Sequence, residues 1–474
     1  MSRLKLFVQN MVVYGLGGTI SKIIPLIMLP IITRLMPDTF YFGLNDLSTV
    51  VIAFGQALAV LGMYDAMFRM FFEKEDLEYK KSICSSALGF TMITSLIIFI
   101  LMFILRKPLS VLFFSSPEYT NLLMLSAISI LMGATNSIMS APTRMNNHRV
   151  VYIVTNTLSS VIAYSISIPL LLKGYFVIAL PLASAVSAIV IECVFFALNR
   201  NWFSIKRINT KYIRQMLIIA LPLVPNFLVY WIFSSSDRWM IAKILGNDYA
   251  GIYAIGGKIG QVSQLIYTAF AGGWQYFAFS TMRDEDQVQM TSNVFEYLGF
   301  VAFSAILLMA SLSETIFKLL FTGDYLQGSN ITPYLFAAPL LLMLYQVACN
   351  QFIVIKKTWP NMMILGMGAI CNIALNYILI HTIGIEGAAL ATVTGYIISI
   401  AVGVAVLERM NLLKISFRFY GCVVISIVYM LVWRFAIKEN VVISLLAAVF
   451  SILCMAAIYY RSLKKLITGK KRYE

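Results

Sequence analysis

The sequence predicts an all-α polytopic membrane protein with about fourteen transmembrane helices, and three observations carry that reading. Of the 474 residues, 60% are hydrophobic and only 12% are charged, with a mean hydropathy of +0.84. A soluble chain of this length has no single core large enough to hide so much apolar surface. Windows of about 20 apolar residues, the length that crosses a bilayer's hydrocarbon layer, recur fourteen times. The basic residues then collect in alternate connections between those windows, as membrane topology requires.

Taken in order, the windows cover 8–33, 41–66, 83–105, 118–141, 150–172, 176–198, 215–242, 250–278, 293–317, 332–355, 360–381, 387–407, 419–436 and 441–460. Placing the N-terminus inside puts 25 of the 36 Lys and Arg on the cytoplasmic side, 8 outside and 3 within spans. The densest basic clusters are Arg69–Lys81, Arg200–Arg214 and the tail Arg461–Arg472. Both termini are therefore expected in the cytoplasm. The first window runs through Lys22, Pro25 and Pro30 with no small-residue cleavage site after a short apolar core, so it reads as a retained span rather than a signal peptide.

Composition also excludes several functions. The formal charge of +15 sits in short loops rather than on one soluble face, which argues topology and not nucleic-acid binding. The six cysteines, Cys84, Cys193, Cys349, Cys371, Cys422 and Cys454, are scattered singly, so neither a disulfide framework nor a metal site is expected. His148 falls in a loop and His381 at a span end, which gives no relay. No nucleophile and base pair, phosphate loop or large outer domain appears, so no enzyme is expected and no cofactor is required.

The chain looks duplicated. Window one carries Pro25 and Pro30 and is followed by Arg34-Leu-Met-Pro-Asp-Thr-Phe-Tyr-Phe-Gly43. Window seven carries Pro222 and Pro225 and is followed by Lys243-Ile-Leu-Gly-Asn-Asp-Tyr-Ala-Gly251. A basic residue, an apolar pair, an Asp-containing turn and a helix-opening glycine recur in order. Proline-interrupted spans at matching positions of two halves point to a substrate site. The expected division is an N-terminal six-helix lobe, 1–198; a basic linker, 199–214, lying as an amphipathic segment on the inner leaflet; a second six-helix lobe, 215–407; and a terminal helix pair with its basic tail, 408–474.

Three cations lie inside apolar windows: Lys22, Arg238 and Lys258. Each costs about 2.5–3.5 kcal/mol at bilayer depth, so each is expected to face a cavity or a bundle interior. Lys22 and Lys258 have no acid at helical spacing and read as the lining of a cavity for an anionic cargo. Arg238 follows Asp237 and reads equally as cargo ligand or as charge pair. Asp65 and Arg69, four apart, read as a structural pair. Asp46, Asp237 and Glu192 are the carboxylates available for proton or sodium coupling, or for pairing. Membrane potential alone would also drive an anion outward, at about 2.3 kcal/mol per charge per 100 mV.

Several stretches resemble one family. Leu221-Pro-Leu-Val-Pro-Asn226, Ser236-Asp-Arg-Trp-Met-Ile241, Leu245-Gly-Asn-Asp-Tyr-Ala-Gly-Ile-Tyr-Ala254 and Lys258 together look like the central signature of the Wzx-type bacterial polysaccharide flippases of the MOP exporter superfamily. Gly62-Met-Tyr-Asp-Ala-Met-Phe-Arg69, Asn372-Ile-Ala-Leu-Asn-Tyr-Ile-Leu-Ile380 and Gly384-Ile-Glu-Gly-Ala-Ala-Leu-Ala-Thr392 agree with it, and the similarity covers about the first 400 residues. Where family members often carry a proline, His381 stands here. The resemblance implies two six-helix lobes of the MATE and lipid II flippase type plus a terminal helix pair, in the bacterial cytoplasmic membrane. It implies a cargo of undecaprenyl-diphosphate-linked oligosaccharide repeat units, moved to the outer leaflet by alternating access for surface polysaccharide such as O-antigen or capsule. Lys22, Arg238 and Lys258 would then cradle the diphosphate. The partners implied are the lipid-linked oligosaccharide, membrane lipids, a polysaccharide polymerase and a chain-length regulator, with no nucleic acid. The rival readings are a lipid II flippase, a MATE-like exporter, whose cavity should be acidic, and an integral-membrane polymerase or ligase, which the short outer loops argue against.

Overall fold

The computed structural model describes residues 23–146, 148–268, 270, 274, 285–355, 357 and 359–468, and every described regular element is helical. In chain order these are α1 (Ile23–Leu35), α2 (Thr39–Val60), α3 (Met63–Phe71), α4 (Leu77–Ile104), α5 (Arg106–Phe114), α6 (Thr120–Met139), α7 (Ala141–Met145), α8 (Arg149–Leu172), α9 (Ala179–Asn199), α10 (Thr210–Ala220), α11 (Val224–Trp231), α12 (Asp237–Ile244) and α13 (Asn247–Gly260). There follow α14 (Gln287–Leu320), α15 (Thr332–Val354), α16 (Trp359–Ile383), α17 (Ile385–Arg409), α18 (Phe417–Val432) and α19 (Val441–Thr468). Eleven helical stretches are long and apolar enough to cross a membrane, and the bent run from Thr210 to Ile244 makes a twelfth. These coincide with twelve of the fourteen predicted windows. The other two, 8–33 and 250–278, run into residues outside those described.

Burial follows bilayer logic rather than water logic. Ile93, Leu96, Ile97, Ile100, Leu101 and Ile104 on α4 are all exposed, because lipid is their solvent. Serine and threonine hydroxyls turn inward instead and return their hydrogen bonds to the preceding helical turn, as Ser126 Oγ does to Leu122 O at 2.9 Å and Thr155 Oγ1 to Val151 O at 2.7 Å.

The chain forms two compact units, Met1–Ala254 and Ile255–Glu474. In the first, Met63, Met67, Phe71, Ile83, Cys84, Phe195 and Met216 build one apolar cluster. Asp76 caps α4 by accepting from the backbone N–H groups of Glu78 (3.2 Å) and Tyr79 (3.1 Å). The expected Asp65–Arg69 pair takes a different form: both residues are exposed on α3, and the cation acting on Asp65 is Arg144, which also donates to Tyr64 Oη at 2.8 Å.

The linker joins the end of α9 at Asn199 to the start of α10 at Thr210. It makes two short 3-10 turns, Arg200–Trp202 and Ile205–Arg207, docked on α4. Ser85 Oγ donates to Trp202 O (3.3 Å) and accepts from Ser204 N–H (3.1 Å), while Ser86 Oγ accepts from Asn209 N–H (2.9 Å). Trp202 packs on Phe71 with ring centres 5.7 Å apart, and Arg207 pairs with Glu78 at 3.0 Å. The small hydroxyls on α4 thus satisfy backbone groups of the linker that have no regular-structure partner. Ile205 and Ile208 stand out, 87% and 39% exposed.

In the second unit α18 and α19 pack on α14. Phe419 sits against Gly299, where any side chain would collide with its ring, and lies 5.0 Å from the Phe295 ring. Glu296 on α14 accepts from Ser416 N–H (2.6 Å), Ser416 Oγ (2.8 Å) and Tyr459 Oη (2.9 Å). At the opposite end of α18 the guanidinium of Arg434 pairs with Glu386 of α17 at 2.7 Å, and Tyr334 Oη donates to the same carboxylate at 3.3 Å. The terminal helix pair is thus fastened by one carboxylate near each of its ends.

Candidate functional site: a buried charge knot in the first unit

Two local devices aim α12. Pro222 and Pro225 stand where α10 meets α11, and the helical run bends there by 47°, since proline removes a ladder donor and crowds the preceding turn. Immediately before α12, Ile232–Ser236 forms one π-turn, a widening that inserts a residue and is frequent at functional sites. Ser236 Oγ donates to Ile232 O at 2.6 Å within it. The C-terminal end of α12 is tied to α5: Lys243 Nζ donates to Val111 O at 2.8 Å and Trp239 Nε1 to Leu112 O at 3.2 Å. A lysine on the carbonyls that end a helix also meets the negative end of its dipole.

With α12 so placed, Arg238 reaches Asp46 of α2, Nη1 to Oδ1 at 3.2 Å. Asp46 is 1% exposed, and its Oδ2 has no hydrogen-bond partner among the described residues. Asp237, 4% exposed, accepts on Oδ1 from the Arg238 backbone N–H (2.8 Å) and on Oδ2 from Tyr253 Oη in a very short bond. The knot therefore gathers two buried carboxylates, one buried phenol and the partly buried guanidinium of Arg238. It carries no surplus positive charge. A buried pair of this kind contributes little net stability, but removing one partner leaves an uncompensated charge.

The duplicated segments meet beside this knot. Gly43 is the fifth residue of α2 and Gly251 the fifth of α13, and the two helices touch through them. A Cβ on Gly43 would land on Asn247 O and 2.9 Å from Gly251 N, and a Cβ on Gly251 would land on Thr39 O and 3.0 Å from Gly43 N. Thr39 Oγ1 donates to Asp248 Oδ1 at 3.3 Å across the same crossing.

Of the six residues singled out from sequence, the structure brings together Asp46, Asp237 and Arg238. Lys22 lies outside the described residues. Lys258 is half-buried on α13, in the second unit. Glu192 on α9 faces Thr135 of α6, and its Oε2 is buried with no hydrogen-bond partner among the described residues. Tyr253, Thr39 and Asp248 are parts of the site that sequence reasoning did not select, although Tyr253 and Asp248 stand inside the quoted signature run.

Comparison with known proteins follows the same line. Over 95% of this chain and 99% of the other, the fold matches the lipid II flippase MurJ in its inward closed conformation, with a TM-score of 0.72 at 17% identity. An inward-facing multidrug resistance MATE transporter of the MOP superfamily matches at a TM-score of 0.61 and 14% identity, over 84% of this chain and 94% of that one. A MOP superfamily transporter from Pyrococcus furiosus, described by a binding pocket of reverse polarity, gives 0.56 and 14%, over 86% and 95%. At these identities the likeness is one of fold. An uncharacterized membrane protein of Methanocaldococcus jannaschii is 25% identical over 213 residues, 42% of this chain and 42% of that protein, so the match spans less than half of that relative. The family profile described as polysaccharide biosynthesis protein matches residues 31–330, more than half of the sequence. This multi-pass membrane chain, built on the fold of the MurJ and MATE transporters, belongs to the polysaccharide biosynthesis protein family.

Proposed function

We propose that the protein is a flippase that moves an undecaprenyl-diphosphate-linked oligosaccharide repeat unit from the inner to the outer leaflet of the bacterial cytoplasmic membrane, by alternating access through a cationic cavity. The observation that carries the reading is the family match itself: a member of a polysaccharide biosynthesis family has the fold of a lipid-linked saccharide flippase along nearly its whole length. A diphosphate crosses a low-dielectric bundle most cheaply beside fixed cations, and Lys22, Arg238 and Lys258 are assigned that task.

The knot gives Arg238 a conditional part. Paired with Asp46 it is spent, and it becomes a cargo ligand only when that pair opens. Asp46, Asp237 and Glu192 are the carboxylates this reading offers for proton or sodium coupling, and Asp46 is the one of the three that forms the ion pair with the guanidinium. Both termini are assigned to the cytoplasm from the distribution of basic residues.

The experiment is the sidedness of lipid-linked oligosaccharide in cells lacking the protein, by mass spectrometry of lipid extracts and by labelling of outer-face sugar on intact spheroplasts. Accumulation on the inner face together with loss of surface polymer supports the reading, and the mass names the cargo, including a peptidoglycan precursor if the lipid II reading holds instead. Repeat units that reach the outer face unpolymerised would overturn it.

A further inference from the structure

A cleft of about 330 Å³ opens in the second unit where α14 meets the segment that enters α18. Its lining includes Gln289, Asn293, Tyr297, Lys414 and Arg418, with Glu296 in its wall. Neither the charge knot nor the cationic cavity uses any of these residues.

The segment carrying the two cations is held rigidly. Three successive backbone N–H groups are each taken by a side-chain acceptor: Lys414 N–H by Ser292 Oγ (2.9 Å), Ile415 N–H by Glu408 Oε1 (3.1 Å) and Ser416 N–H by Glu296 Oε1 (2.6 Å). A loop whose amides are committed in this way presents its side chains from a fixed base, which lowers the entropic cost of binding. Among the described residues of the lining Glu296 is the one acid, and its two oxygens already accept three hydrogen bonds from Ser416 and Tyr459. Asn293 has its Oδ1 engaged by Gln289 Nε2 at 3.0 Å, which leaves the asparagine's contribution to the cleft as a donor. Two cations and amide donors around a satisfied carboxylate suit an anion with several acceptor oxygens.

Depth selects which anion. The uncharged part of α14 runs from Tyr297 to Ser313, about 26 Å at 1.5 Å per residue, against a hydrocarbon core of about 30 Å. Glu296 and the cleft thus fall at the headgroup layer. Phe417, between the two cations in sequence, is 89% exposed, and Tyr420 one turn on is 44% exposed. Exposed aromatics flanked by cations mark a membrane interface.

We propose that this cleft binds the phosphate headgroup of an anionic phospholipid, held by Lys414 and Arg418, with its acyl chains running down the face of α18 below Phe417. The lipid lies at the Glu296 fastening of the terminal helix pair, so its occupancy stabilises that joint. The assignment does not depend on what the protein transports.

The test uses the full-length protein, delipidated in detergent and then supplied with phosphatidylglycerol, phosphatidylcholine or inorganic phosphate, and read by native mass spectrometry and thermal unfolding. Phosphatidylglycerol is expected to stay bound and to raise the unfolding temperature more than phosphatidylcholine, and Lys414→Gln with Arg418→Gln is expected to weaken its retention about a hundredfold, roughly tenfold for each charge-assisted contact removed. Lys74→Gln with Lys206→Gln removes the same charge elsewhere and should leave retention unchanged. Equal retention of the two lipids, an equal loss in the control variant, or inorganic phosphate matching phosphatidylglycerol would each overturn the proposal. If Lys414→Gln with Arg418→Gln fails to fold, the lipid comparison on the unaltered protein still decides it.

Discussion

Gly43 and Gly251 occupy each other's missing side chain: each helix's backbone fills the space where the other's Cβ would stand, and the relation is reciprocal, with Asn247 O over Gly43 and Thr39 O over Gly251. Because the obstacle is backbone on both sides, it cannot rotate away. Gly43→Ala and Gly251→Ala are each expected to destabilise the protein by about 1–3 kcal/mol, the range for overpacking a close contact. Thermal unfolding in detergent measures this, and Gly366→Ala, at a helical glycine with open space around it, should shift the transition far less.

Arg238→Ala should cost about 3–5 kcal/mol, because it strands Asp46 as an unpaired buried charge. Asp46→Asn combined with Arg238→Met removes both charges and should recover much of that loss. The double-mutant cycle, read by unfolding midpoints, should therefore show strong coupling. Additive losses would mean that the two side chains act independently.

Lys22→Ala or Lys258→Ala should abolish export while membrane abundance stays normal, and Lys22→Arg should keep part of the activity. Surface polymer measured beside immunoblots of the membrane fraction separates the two quantities. Full export by stable alanine variants at both positions would remove the cationic-cavity assignment.

Tyr459→Phe deletes one of three donors to Glu296 and is expected to cost about 1–3 kcal/mol, the penalty for a lost bond to a charged buried acceptor. Limited proteolysis should then cut between α17 and α18 sooner than in the unaltered protein. Unchanged cleavage would mean that Ser416 alone holds the joint.

Hydropathy made the spans legible because lipid imposes a local rule: about 20 apolar residues per crossing, whatever the neighbours are. The repeated Arg34–Gly43 and Lys243–Gly251 segments were legible for the same reason, as local strings. The pairing of Asp46 with Arg238 was not, since 192 residues separate them and helical spacing speaks only for i+3 and i+4. The same limit made Asp65 and Arg69 look like partners when the cation nearest in effect to Asp65 comes from α7. The docked linker escaped notice because Ser85 and Ser86, which receive it, look like ordinary small residues in an apolar run.

The two fastenings of α18 and α19, at Glu296 and at Glu386, bear on how a shortened chain would behave. A protein ending before Phe417 would keep both carboxylates and lose Tyr459 and Arg434, the groups that come from the missing helices. It would carry two under-compensated anions in a membrane. Such a truncation reports on assembly and proteolytic survival before it reports on transport, so a loss of export from it says nothing about whether the helix pair takes part in moving cargo.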